Sequence, residues 1–172
     1  MRAEIYFKMG NLAGVNEWLE GAGLPDSPLD DPARDEEFIL KARYLLEIGS
    51  INEASQLLDE LSRYAQNVHH VHVTIATLLI KASLEWKKGD LGRVKTFLEE
   101  VLALAAPQQY IRVLLDFGGP LLGLLAQMPG APAEIRAHFR GTDSTDTPLL
   151  VEILTSREMD VLRLLAENHT NL

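Results

Sequence analysis

The sequence predicts an all-α chain, a helical-repeat superhelix of antiparallel helix pairs. Two observations carry that prediction. A glycine recurs at positions 10, 49 and 89, at steps of 39 and 40 residues. Around each glycine the same columns return. Ala3, Ala42 and Ala82 stand seven residues before it, and Leu12, Ile51 and Leu91 two after. Val15, Ala54 and Val94 lie five after, and Leu19, Leu58 and Leu98 nine after. Self-similarity at a fixed period is the mark of a repeat architecture.

Each column has a physical task in a helix-turn-helix unit. The small alanine lets the first helix of a pair approach its neighbour closely. The glycine takes the left-handed conformation that ends this helix. The Leu or Ile then tucks the turn under, and the second helix presents apolar residues at i and i+4 to the first. These columns resemble the tetratricopeptide repeat, whose period is about 34 residues. The extra five or six residues imply longer helices or longer turns. Asp26-Ser-Pro-Leu-Asp-Asp-Pro32 is expected to be one such turn, with Gln66-Asn-Val-His-His70 near the next.

Beyond Gln109 the pattern changes. Tyr110 to Leu125 is too apolar for a surface helix and is expected to pack against the last repeat. Gly118-Gly119-Pro120 interrupts it, with Pro120 suited to the first turn of a new helix. Pro129 to Pro132 punctuates the chain before a short helix, Ala133 to Arg140. Gly141 to Pro148 is polar and turn-rich, as linkers are. The expected organisation is a repeat domain over 1–141, a linker over 142–153 and a different element over 154–172.

That last element resembles the opening of the LuxR-type helix-turn-helix domain. Leu154-Thr-Ser-Arg-Glu-Met-Asp-Val-Leu162 follows the pattern Leu-Thr-x-Arg-Glu-x-x-Val-Leu with which the family's first helix starts. Thr155 and Glu158 have the spacing of a capping box. Asn168 stands where family members usually carry glycine, and Asn also adopts the left-handed conformation. Upstream, Tyr110, Arg112, Asp116, Gly118 and Pro120, with Leu124-Leu125, are similar to the last repeat region of MalT-like regulators, the large ATP-binding members of the LuxR family. In those proteins an ATPase module precedes a superhelix of tetratricopeptide-like repeats, and the LuxR domain closes the chain.

The resemblance implies a non-catalytic sensor domain of a transcription regulator, truncated on both sides. It would relay a signal to a DNA-binding part missing here. ATP would bind only upstream, because this sequence has no Gly-x-x-x-x-Gly-Lys-Ser/Thr phosphate loop. DNA would be touched only through the missing recognition helix. Self-association of the full-length regulator fits the same picture. A second reading is a repeat scaffold for protein partners, unrelated to transcription.

Composition narrows the choice further. Lys plus Arg total 16 against 25 Asp plus Glu, a formal net charge of −9, which argues against nucleic-acid binding by the chain as a whole. The absence of cysteine removes thiolate nucleophiles and Cys-based zinc sites, and it fits a cytoplasmic setting. The N-terminus lacks the apolar stretch of a signal peptide. The densest apolar run, Val71 to Ile80, is broken by His72, Thr74 and Thr77 and is shorter than the roughly 18 residues of a membrane span. His69-His70-x-His72 lacks further ligands at metal-binding spacing and reads as a turn and helix start. Asp35-Glu36-Glu37 suits the positive end of a helix dipole. No nucleophile elbow occurs, so neither catalytic nor metal-binding residues are expected.

Stacked helix pairs leave a concave groove lined by the first helix of each pair. The tetratricopeptide pattern puts groove positions one, four and five residues after the small residue. These are Glu4, Phe7 and Lys8 in the first unit, Arg43, Leu46 and Glu47 in the second, and Ser83, Trp86 and Lys87 in the third. Aromatic faces beside charged donors suit a sugar-like or aromatic effector, or an extended peptide.

Overall fold

The computed structural model describes residues 2–105, 110–117 and 119–140. Nine α-helices, and no strand, are present among the described residues. They are α1 (Arg2–Lys8), α2 (Leu12–Ala22), α3 (Asp35–Glu47), α4 (Ile51–Val68), α5 (Val71–Lys88), α6 (Leu91–Ala105), α7 (Ile111–Phe117), α8 (Gly119–Gln127) and α9 (Ala133–Arg140). A single 3-10 turn, Pro32–Arg34, leads into α3. No described helix is long and apolar enough to cross a membrane. The expected linker over 142–153 and the LuxR-like element over 154–172 lie outside the described residues.

The three repeat units are the pairs α1–α2, α3–α4 and α5–α6, each hinged at its glycine. Gly10, Gly49 and Gly89 have φ of 70°, 83° and 82°. In each case the next residue donates its N–H five residues back, across the glycine. Asn11 bonds the Tyr6 carbonyl at 2.9 Å, Ser50 that of Leu45 at 2.9 Å and Asp90 that of Glu85 at 3.0 Å. This Schellman closure satisfies carbonyls the helix end would leave orphaned. Asn11 and Asp90 then cap the following helix, accepting from the N–H of Gly14 and Arg93. One Gly-Asn or Gly-Asp dipeptide thus stops one helix and starts the next.

The long period is reached in two ways. Between the first and second units a loop over residues 23–31 takes up the extra length, tied down by Ser27 Oγ donating to Glu60 Oε2 at 2.9 Å. Between the second and third, the helices themselves lengthen to 18 residues each. The turn there is narrower than Gln66 to His70, since α4 runs on through Val68. His69 closes it at φ 53°, with His70 bonded back to the Ala65 carbonyl at 3.1 Å.

The apolar columns form the core. Ala3, Ala42, Ala54 and Ala82 are wholly buried, as are Val15 and Leu58. Helix α5 explains why Val71 to Ile80 is so apolar. One face, with Ile75, Leu79 and Ala82, joins the cluster built by α6 to α9, while Val73, Ala76 and Ile80 join the cluster of α3 and α4. The apolar segment after Tyr110 packs there as well, through Leu114, Leu121, Leu124 and Leu125. Helix α8 starts at Gly119, with Pro120 in its first turn, and α9 spans the expected Ala133–Arg140.

Candidate functional site

Helices α3 and α5, the first helices of the second and third units, lie side by side and run parallel. Their N-terminal ends meet where His70 Nδ1 stands 3.0 Å from Asp35 Oδ2 and His72 Nε2 stands 2.8 Å from Glu36 Oε1. At their C-terminal ends Lys87 Nζ donates to the Leu46 carbonyl at 3.1 Å and lies 3.4 Å from Glu47 Oε2. A cation on the last carbonyls of α3 is a favourable helix-end contact.

Between these two sets of contacts lies a groove of about 360 Å³, lined from α1, α3, α5 and α7. Glu4 comes from α1 and Glu36, Ile39 and Arg43 from α3. His72 and Ala76 come from α5, and Arg112, Val113 and Phe117 from α7. Its size falls in the range of small-molecule sites.

Arg43 is the central group. Its guanidinium carbon lies 4.4 Å from the centre of the Phe7 ring and 5.1 Å from that of Phe117. Both are cation–π contacts. Burial pulls its pKa below the ordinary value, with the charges of Glu4 and Glu47 acting in the opposite direction. Arginine keeps its proton at any physiological pH, so a cation is held here against two rings.

The sequence-derived groove positions divide accordingly. Glu4 and Arg43 line the groove, and Phe7 stacks on Arg43 beside it. Lys8 is exposed in the last turn of α1. Leu46 is buried in the core of the second unit. Glu47 and Lys87 pair with each other at the C-terminal ends, Ser83 Oγ donates to the Leu79 carbonyl of its own helix, and Trp86 packs against the core of the third unit. The groove therefore runs towards the N-terminal halves of α3 and α5, away from the ends that carry Trp86 and Lys87. Glu36, Ile39, His72, Ala76, Val113 and Phe117 were missed by the pattern. The one signal for some of them was the matched charge of Asp35-Glu36 and His70-x-His72, which becomes a pair of contacts only once the helices are side by side.

A second hollow of about 520 Å³ opens between α1, α2 and the start of α3, lined by Tyr6, Trp18, Arg34 and Glu37 among others. Its polar groups serve the fold. Arg34 donates to the Ala22 carbonyl at 2.8 Å and the Gly23 carbonyl at 3.1 Å, capping α2, and pairs with Glu37. The smaller groove is the one that gathers residues from four helices.

A family model described as the MalT-like TPR region matches residues 1–130. The chain is also 28% identical over 119 residues to the HTH-type transcriptional regulator MalT of Vibrio campbellii. That alignment covers 69% of this chain but spans only 13% of the regulator's length. No solved structure matches the chain.

Proposed function

Since the chain belongs to the MalT-like TPR family, we propose that it is the sensor domain of a LuxR-type transcription regulator and binds a small effector in the groove between α1, α3, α5 and α7. The observation that carries this reading is the convergence of four helices, from successive pairs, on one small-molecule-sized groove with Arg43 at its centre. The domain performs no chemistry itself and works in the cytoplasm. Leu154 to Glu167 begins the DNA-binding domain, and ATP binds in an upstream module.

The mechanism follows from the placement of the groove. A ligand touching four stacked helices at once favours one pitch of the superhelix over another. It shifts the population between two arrangements to the extent that it binds one of them more tightly. The change passes to self-association upstream or to the DNA-binding part downstream.

The test is an effector screen read by NMR on the methyl groups of Ile39, Ala76 and Val113. The expected result is a compound that shifts these three together and changes the self-association of the full-length regulator. Ligands that shift only residues outside the groove, or that bind without altering the full-length protein, would count against the reading. A chain that captures only protein partners would favour the scaffold instead.

A further inference from the structure

We propose that the groove takes a small organic anion, whose carboxylate or phosphate docks on Arg43 while its apolar body lies on Ile39, Val113 and Phe117. This rests on the groove being the ligand site and adds the chemical class of the ligand.

The arginines of the chain are engaged in different ways. Arg34 spends both terminal nitrogens on backbone carbonyls and its Nε on Glu37, at 2.7 Å. Arg93 reaches the buried Glu85 at 3.5 Å. Arg43 differs. Its guanidinium lies against two aromatic rings, and among the described residues no hydrogen bond or ion pair uses its N–H groups. The N–H groups of a guanidinium form the fork that matches a carboxylate or phosphate with two parallel bonds.

The surroundings favour an anion as well. The lining also holds Arg112, which has an interaction of its own. Of the two acidic residues there, Glu36 is engaged by His72 at 2.8 Å. Glu4, and Glu47 from outside the lining, act on Arg43 through their fields, without a direct ion pair. A partly buried guanidinium whose N–H groups carry no direct hydrogen bond is costly to maintain, and a complementary anion removes that cost. The rest of the lining, Ile39, Ala76, Val113 and Phe117, is apolar. An inorganic ion would leave that surface uncovered, whereas an anion with an apolar body covers it.

Three probes of nearly one shape separate the possibilities: benzoate, phenyl phosphate and the neutral benzamide, each titrated at millimolar concentration into the 172-residue chain. The readouts are the Arg43 Nε–H signal and the Ile39 and Val113 methyl groups. One or both anions are expected to bind at least about tenfold more tightly than benzamide, a gap near 1.4 kcal/mol. Added salt should weaken that binding. Arg43→Met, which keeps length and apolar stacking, should abolish the preference for the anions. If that variant fails to fold, Arg43→Lys serves: it retains the charge, and loss of the fork should still weaken the anions severalfold. The better anion identifies the headgroup.

Benzamide moving the same methyl groups with equal affinity would overturn the anion and leave the groove as a ligand site. Anion binding unchanged in Arg43→Lys and Arg43→Met would overturn Arg43 as the dock. Silence from all three probes would also overturn the anion, while the effector screen would still decide the groove.

Discussion

His72 and Glu36, 2.8 Å apart, move each other's titration in opposite directions. The hydrogen bond to His72 holds Glu36 below its ordinary 4.5, against the effect of burial. The same bond holds His72 above its ordinary 6.5, again against burial. Glu36 therefore contributes stability above about pH 4.5, lost as the pH falls through its lowered folded value. His72 contributes below about pH 6.5, lost as the pH rises through its raised folded value. The pair is fully effective between those limits. The Glu36 side chain is 58% exposed, so its worth is that of a surface pair, about 0.5 kcal/mol. Glu36→Gln should remove the decline above pH 6.5 that His72 causes, as read from urea midpoints across a pH series. An unaltered profile would show that the contact does not form in solution. Thr77 offers a simpler test at this scale. It is buried, and its hydroxyl finds no partner among the described residues. Thr77→Val should stabilise the chain by about 1 kcal/mol in the same assay.

The turns differ in how they obtain a left-handed residue. Gly10, Gly49 and Gly89 reach it freely, but between α4 and α5 the residue is His69, at φ 53°. A side chain there crowds the following carbonyl at a cost of roughly 1–2 kcal/mol, part of which glycine returns as unfolded-state entropy. His69→Gly should therefore raise stability by about 0.5–1 kcal/mol, and Gly89→Ala should lower it by a similar amount. Calorimetry on the two variants checks the opposite signs, and two shifts in the same direction would refute the account. This difference also marks what was legible in the sequence. Ala42, Gly49 and Leu58 recur because each does the same local task in every unit, so the helix pairs could be read from spacing. The groove could not. Arg43 meets Phe117 only because α7 folds back beside the first helices, a contact between residues far apart in sequence with no repeated counterpart. Extending the tetratricopeptide spacing placed Trp86 and Lys87 in the groove, whereas the lengthened α4 and α5 put its lining about three to four turns earlier along α5, at His72 and Ala76.

Among the described residues three clusters of buried side chains follow one another along the chain, and its strength is unequal along them. The first contains only Ala3, Val15 and Leu40 as buried members, with Tyr6, Phe7, Trp18, Leu19 and Tyr44 packed around them. The second and third are far larger, and α5 contributes to both. In a stacked array each unit is stabilised by itself and by its neighbours, so the unit with the smallest core opens at the lowest free energy. Amide exchange in α1 and α2 should be the fastest among the units, and that in α5 the slowest. Leu79→Ala, in the α5 core, should cost about 2–5 kcal/mol and lower protection from α3 to α9 together. Val15→Ala should cost less and lower protection in α1 and α2 alone, because no other cluster shares that side chain. A uniform loss in every helix after Val15→Ala would show one cooperative unit instead. The distinction bears on the proposed sensing, because Glu4, on the weakest pair, lines the groove and Phe7 lies against Arg43 beside it. A ligand held there should slow exchange in α1 more than anywhere else, by tying the loosest unit to the two that seldom open.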